Sequence, residues 1–191
     1  MRTSVQQAFW GLALWLIAAP LALGVNLIPG DSSFETGHGA WTGGEIVSDQ
    51  ASDGVRSLKF SRDVTTHAVM ALAPDTDYVM SAYLRAEVDG AEVMLEGYRT
   101  NWMGDNARAY VRLTTSWQRC ELPFPRQKLG GHNKFWLSVR PQGGAVVWMD
   151  AVQFEMGAAA TPWQAAEPVA LSCAVLSPVA GNIFFPEEAV A

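Results

Sequence analysis

The sequence predicts an all-β fold, a jelly-roll β-sandwich of about eight to nine antiparallel strands. Three observations predict it. Between Ser57 and Glu155 the chain is a series of short runs rich in strand-forming residues, turn-forming residues separate these runs, and no stretch has convincing helical periodicity. The alternative architecture is an immunoglobulin-like sandwich, which usually contains a buried pair of cysteines.

The predicted strands follow one another closely along the chain. Eight runs carry the pattern: SLKF, HAVMAL, YVMSAYLRAE, AEVMLEGY, ARAYVRL, WQRCELPF, KFWLSVR and AVVWMDAVQFE. Segments such as APDTD, VDG and KLGGHN stand between them and consist of residues that favour turns. Strands joined by such short turns favour antiparallel pairing.

Alternation along three of these runs predicts which side chains face the core, because successive residues of a strand point to opposite sides. The apolar positions alternate with a second set on YVMSAYLRAE, AEVMLEGY and KFWLSVR. That second, non-core set contains Tyr83, Arg85, Glu96, Tyr98, Trp136 and Arg140. If the three strands are neighbours, these side chains form one sheet face with aromatic rings among charged hydrogen-bonding groups.

A face of this composition suits a sugar. One side of a pyranose ring carries C–H groups that pack on an aromatic plane, while its hydroxyl groups need paired donors and acceptors. Trp102, in the loop TNWMGDN, either forms the wall of a binding cleft or covers the sheet edge. The alternative for all these rings is packing, under a loop or under the chain termini.

The N-terminal segment predicts export. Residues 8–25 carry no charged side chain, and small residues at Ala22 and Gly24 follow a compact apolar block. This is the pattern of a secretory signal peptide of residues 1–24 that is cleaved near Gly24. An uncleaved membrane anchor is the alternative, since the uncharged run is long enough to span a bilayer. We therefore expect a secreted protein, extracellular or periplasmic, with no membrane contact after cleavage.

The composition argues against two classes of partner. The net charge is −6 at pH 7 and no cluster of Lys and Arg occurs, which disfavours nucleic acid and anionic membrane surfaces. Only two cysteines are present, Cys120 and Cys173, so the chain is not a disulfide-stapled scaffold. They either form a single bridge or remain buried thiols.

Five blocks occur in series over nearly all of residues 26–163: NLIPGDSSFETG with a following Trp, DQASDGVRSLKF, APDTDYVMSAYLRAE, TTSWQRCELPF and VVWMDAVQFEMGAAATPW. In order and spacing they resemble carbohydrate-binding modules of the family four/nine and twenty-two type, with a galactose-binding-domain-like jelly roll. The resemblance implies a non-catalytic module that binds a polysaccharide or oligosaccharide on its concave sheet. It also implies that Phe34 and Trp41 are structural.

The resemblance further implies a structural calcium ion between the first and last strands. Calcium takes six to eight oxygen ligands. The matching positions are Glu35 and Asp150, which would supply carboxylate oxygens, and the turn at Asp53 and Gly54, which would supply carbonyl oxygens. The alternative is that the two carboxylates only accept backbone N–H bonds.

Catalysis is not predicted. Glycoside hydrolysis requires two carboxylates at a defined separation across a cleft, and the candidates Glu87, Glu96 and Asp105 lie in no recognisable motif. The histidines have no metal-ligand spacing, and no nucleophile motif occurs. A binding module is thus preferred over a structural or spacer β-sandwich, and over a hydrolase.

The predicted domains are the signal peptide at 1–24, the module at 25–165, and a linker with the start of a second, truncated β domain at 166–191. The last segment contains GNIFFPEEAV, which has the pattern of a new strand. These features predict adjoining domains in a longer secreted protein, with a glycoside hydrolase as the expected parent.

Overall fold

The computed structural model describes residues 24–100, 106–125 and 134–164. These residues form two antiparallel sheets. These residues contain no α-helix, and hence none long and apolar enough to cross a membrane. The strands are β1 (Trp41–Thr42), β2 (Glu45–Val47), β3 (Ser57–Phe60), β4 (Val64–Thr66), β5 (Met70–Ala71), β6 (Tyr78–Ala86), β7 (Ala91–Arg99), β8 (Ala107–Leu113), β9 (Gln118–Phe124), β10 (Lys134–Pro141) and β11 (Val147–Met156).

The strand order confirms the predicted jelly-roll sandwich. Sheet A has the order β1-β4-β10-β7-β8, with β5 also paired to β10, and sheet B has the order β2-β3-β11-β6-β9. The chain crosses repeatedly from one sheet to the other, as between β6 and β7, whereas β2 and β3, β4 and β5, and β7 and β8 each stay within one sheet. SLKF and ARAYVRL form strands with the predicted bounds, whereas HAVMAL is reduced to β5. The strands β1, β2 and β4 were not predicted, because each is only two or three residues long.

Several predictions fall on residues that the structure does not describe. They are the signal peptide up to residue 23, the tail from residue 165, Trp102, Asp105 and Cys173. Cys120 is described and lies buried on β9, where burial raises the pKa of its thiol.

Aromatic rings join the two sheets in the core. The Phe124 ring of sheet B packs edge-on against Phe135 of sheet A, with ring centres 5.8 Å apart, and against Phe154, at 5.3 Å. Gly97 of β7 faces the Phe124 ring, and a Cβ atom there would lie 2.2 Å from a carbon of that ring. The close approach of the sheets at this point therefore requires glycine. The alternate residues predicted to face the core on β6, β7 and β10 are all buried.

The N-terminal loop packs on the last strand. Phe34 and Trp41 are fully buried, which confirms their structural role. The side chain of Asn26 donates to the Val152 carbonyl at 2.9 Å and accepts from the Phe154 N–H at 3.0 Å. These bonds fix the loop along β11, close to a bulge between Asp150 and Gln153.

Both ends of the described domain lie on the outer side of sheet B. Thr161 donates to the Glu155 carboxylate from its N–H at 2.8 Å and from its hydroxyl at 2.7 Å. Its hydroxyl also accepts from Gln153, and its carbonyl accepts from Arg119. Gly24 lies against the same groups, since a Cβ atom there would come within 2.8 Å of the Thr161 hydroxyl oxygen. The segment 157–164 thus covers the outer face of β11 at Gln153 and Glu155.

Candidate functional site

The predicted sugar-contacting residues divide between the two outer faces. β7 and β10 are neighbours in sheet A, and their outward residues Glu96, Tyr98, Trp136 and Arg140 share one surface, which we call face A. β6 belongs to sheet B, where it pairs with β9 and β11. The expectation that all three strands form one face is therefore wrong for β6.

Tyr83 and Arg85 accordingly lie on the outer surface of sheet B, which we call face B. Alternation predicted correctly that they point away from the core. It could not predict the sheet, because the connection from β6 to β7 crosses from one sheet to the other.

A chain of alternating charges crosses face A. Arg140 lies between two carboxylates, with its Nε atom 3.3 Å from Asp63 and an Nη atom 3.2 Å from Glu96. Glu96 also accepts from the Nε atom of Arg108 at 2.6 Å and from the side-chain amide of Asn106 at 2.9 Å. Glu96 is only 2% exposed, so two guanidinium groups compensate a buried charge. We call Asp63, Arg140, Glu96 and Arg108 the acid–arginine chain.

The acid–arginine chain fixes the donors of face A. A carboxylate that accepts from an arginine on each side holds both guanidinium planes in place. Two charges of each sign take part, so the chain has no net charge. It therefore presents oriented N–H groups without an excess of positive potential.

An aromatic pair lies beside this chain. Tyr98 and Trp136 are directly opposite one another on β7 and β10, and their ring centres are 5.3 Å apart with a 43° angle between the planes. Both side chains are half-buried. The Arg140 guanidinium lies 5.9 Å from the centre of the Tyr98 ring. Face A thus combines ring surface with neighbouring hydrogen-bond donors.

The sequence analysis missed the contribution of β8 to face A. In the register, Arg108 lies opposite Glu96, Tyr110 opposite Met94, and Arg112 opposite Glu92. The alternation in ARAYVRL carried the signal, since residues 108, 110 and 112 are the polar or aromatic positions of that run.

Face B uses similar residue types for packing. Trp148 of β11 is 5% exposed, and its ring has Lys59 at 4.8 Å on one neighbouring strand and Arg85 at 5.1 Å on the other. Arg85 also bonds the Gln50 side chain. The Tyr83 ring lies 5.9 Å from the Arg119 guanidinium, which donates to the Thr161 carbonyl. These contacts fit the packing alternative for Tyr83 and Arg85.

The residues proposed for calcium hold one loop by its amides. The Asp150 carboxylate accepts from the N–H groups of Ser52 and Asp53 at 2.7 and 2.8 Å. The Glu35 carboxylate accepts from the next pair, Val55 and Arg56, both at 2.9 Å. A cation needs converging oxygens, whereas these oxygens are directed at N–H donors. Within the described ranges, no three acidic, His or Cys side chains come together as a metal site.

Two further contacts complete this region. The Asp53 carboxylate accepts from the indole N–H of Trp163 at 3.0 Å. Gly54 has a positive φ of 64°, and a Cβ atom there would lie 2.3 Å from the Glu35 carboxylate. Burial, together with the nearby charge of Asp53, raises the pKa of Asp150 to about 6, against the opposing effect of its N–H bonds.

The candidate catalytic carboxylates do not form a pair in the described part of the chain. Glu87 follows β6 of sheet B and is exposed, whereas Glu96 lies on face A between two arginines. These positions do not provide the opposed carboxylates that glycoside hydrolysis requires.

No family model and no curated protein matches the sequence. Solved structures do match. The CBM22-1 xylan-binding domain from Paenibacillus barcinonensis Xyn10C is similar at 17% identity and a TM-score of 0.57, over 73% of this chain and 100% of that one. The CBM22-1–GH10 modules of Clostridium thermocellum xylanase 10B, complexed with xylohexaose, match at 14% identity and 0.52, over 73% of this chain and 30% of that one.

A third match extends beyond these xylanase modules. The enzymatically active domain of tailspike protein 4 from bacteriophage CBA120 is similar at 10% identity and a TM-score of 0.51, over 69% of this chain and 21% of that chain. At such identities the similarity concerns the fold. The chain has the jelly-roll fold found in family 22 carbohydrate-binding modules.

Proposed function

We propose that this chain is a non-catalytic carbohydrate-binding module that binds a polysaccharide on face A. The observation that carries the proposal is the aromatic pair Tyr98–Trp136 beside the acid–arginine chain. Rings supply the apolar surface for a sugar ring, and the fixed guanidinium groups supply donors for its oxygens. The shared fold supports the proposal, because some proteins with this fold are described as xylan-binding.

The charge balance of face A favours an uncharged glycan. Asp63 and Glu96 compensate Arg140 and Arg108 within the acid–arginine chain. An acidic polysaccharide would have to compete with these carboxylates for the guanidinium groups. The hydroxyl groups of a neutral glycan can accept from the arginine N–H groups that the ion pairs do not use. The ion pairs then stay in place.

The proposal includes a setting for the module. The charge-free N-terminal run supports export, and we propose a secreted, multidomain protein in which a glycoside hydrolase provides the catalysis. Mass spectrometry of the exported protein tests the first part: a new N-terminus near Val25 supports cleavage, and an intact Met1 contradicts it.

Affinity electrophoresis of the full chain against soluble xylan, mixed-linkage glucan, mannan and galactan tests the binding function. We expect retardation by at least one of these glycans. Trp136→Ala removes half of the aromatic pair and should abolish the retardation, because aromatic stacking dominates such sites. Tyr83→Ala is the matched control on face B and should retain it.

The outcomes distinguish face A from its alternatives. Retardation lost in Tyr83→Ala and kept in Trp136→Ala would move the site to face B. Retardation kept in both would contradict face A and favour the loop that contains Trp102. No retardation by any glycan would favour the spacer function.

Calcium stays a separate prediction. Glu35 and Asp150 already bind amides, so an ion would have to replace N–H donors. A thermal unfolding titration with calcium tests it. A rise in Tm that Asp150→Asn abolishes would support a structural ion, and an unchanged Tm would contradict one.

A further inference from the structure

Among the residues that the structure describes, Tyr110 is the most exposed aromatic side chain on face A. It lies on the edge strand β8 and is 61% exposed. Directly opposite it on β7 is Met94, whose side chain is buried at the same face. Tyr110 therefore lies beside a buried apolar side chain, and its ring is exposed to solvent.

The position of Tyr110 places it across the acid–arginine chain from the aromatic pair. Tyr98 and Met94 are four residues apart on β7, with Glu96 midway between them. At about 3.3 Å per residue, this separation is about 13 Å along the strand. A single sugar ring at the aromatic pair therefore does not reach Tyr110, whereas a chain of several rings does.

The neighbours of Tyr110 match a sugar chain. Arg108 and Arg112 flank it on the same side of β8, two residues away in each direction. In the described part of the chain, no hydrogen-bond or ion-pair partner contacts the Arg112 guanidinium. The same arrangement therefore occurs twice along the surface from Trp136 to Arg112. The aromatic pair is followed by the donor Arg108, and the Tyr110 ring is followed by the donor Arg112.

We propose that Tyr110 is a second stacking platform, so that face A binds an extended oligosaccharide that passes over the acid–arginine chain between the two aromatic positions. The inference rests on the proposed function and assigns the site a preference for chain length. Continuity with the aromatic pair and the absence of net charge in between identify a neutral glycan chain as the occupant.

Calorimetric and NMR titrations with β-1,4-linked disaccharides and hexasaccharides of xylose, glucose, mannose and galactose test the inference. NMR extends the measurement to millimolar dissociation constants. In at least one series we expect the hexasaccharide to bind about tenfold more tightly than the disaccharide. Tyr110→Ala should weaken hexasaccharide binding about five- to tenfold and leave disaccharide binding within about twofold. Tyr110→Phe retains the ring and should behave like the parent.

Three controls keep the outcomes separate. Trp136→Ala should weaken both lengths, and Tyr83→Ala on face B should weaken neither. Unchanged hexasaccharide affinity in Tyr110→Ala, or equal loss for both lengths, would overturn the second platform while the proposed function stands. No binding of the parent protein to any of these sugars would overturn the proposed function itself, and this inference with it.

Discussion

The two outer faces of the sandwich carry similar side chains and differ in what covers them. On face A, Trp136 and Tyr98 are half-buried and Tyr110 is largely exposed. On face B, Trp148 is 5% exposed and Tyr83 is half-buried beside the Arg119 guanidinium, so neither ring is as exposed as Tyr110. The difference arises because the segment 157–164 and the loop that Asp150 holds lie over face B. An aromatic residue that points away from the core is thus available for binding only where no other segment covers it.

The largest expected effect compares one tryptophan from each face. Trp148→Ala removes a buried ring from face B and should lower the free energy of unfolding by about 3–5 kcal/mol. Trp136→Ala removes a half-buried ring from face A and should cost about 1 kcal/mol while it abolishes glycan binding. Urea unfolding and affinity electrophoresis measure the two effects. Equal destabilisation by both changes would contradict the conclusion that the tryptophan of face B serves packing and that of face A serves binding.

A pH-dependent stability should originate on face B. The folded protein raises the pKa of Asp150 to about 6, whereas an unfolded aspartate titrates near 4. The folded state then binds this proton more tightly than the unfolded state. The free energy of unfolding contributed by Asp150 is therefore highest below about pH 4 and falls by about 2–3 kcal/mol as the pH rises to about 6 and above.

Urea unfolding between pH 4 and pH 7.5 checks this prediction. The parent protein should lose stability over that window relative to Asp150→Asn, which has no proton to release. Asp75→Asn, in an exposed turn, is the control and should keep the parent's pH dependence. Parallel curves for the parent and Asp150→Asn would contradict the prediction.

A smaller effect should follow from the acid–arginine chain. Glu96→Gln removes a buried charge, but Arg108 and Arg140 remain 51% and 34% exposed and keep much of their hydration. We expect a loss of about 2 kcal/mol in the free energy of unfolding. Glycan binding should also be lost, because the guanidinium groups are no longer fixed.

Glu121→Gln provides the matched change on face B. Glu121 lies opposite Ser81 and is exposed, so its replacement should alter stability by less than about 0.5 kcal/mol. Full glycan binding by Glu96→Gln would show that the ion pairs serve stability alone.

The smallest expected effect concerns the cation over Trp148. Lys59→Gln removes one of two cations from the ring and should cost about 0.5–1 kcal/mol. Glycan binding should not change. A loss of binding in this variant would indicate that face B takes part in recognition.

The sequence predicted most of the strands and their inward faces. This was possible because successive residues of a strand point to opposite faces, whatever the strand pairs with. Phe135, Leu137 and Val139 occupy alternate positions of one strand, and all three are buried. The structural role of Phe34 and Trp41 also followed from the resemblance and is confirmed by their burial.

The candidate site could be predicted only in part, because pairing between strands is long-range. Nothing within YVMSAYLRAE indicates that β6 joins β11 in sheet B, so Tyr83 and Arg85 were grouped with residues of sheet A. The burial of Ser81 and Val79 likewise depends on the neighbouring strands β9 and β11 and on the segments that cover face B. Tyr110, in contrast, was accessible to the same alternation argument and was overlooked.

The two ends of the domain are attached to the same strand, because the Asn26 side chain bonds to the backbone of β11 and Thr161 bonds to Glu155 of β11. A pull through the chain on either side acts at two adjacent points on the outer side of β11. We expect the load to fall first on the hydrogen bonds of Thr161 with Glu155 and of Asn26 with Val152 and Phe154. Because these attachments are all to a strand of sheet B, we expect a taut chain to loosen the ends of the domain before it disturbs face A.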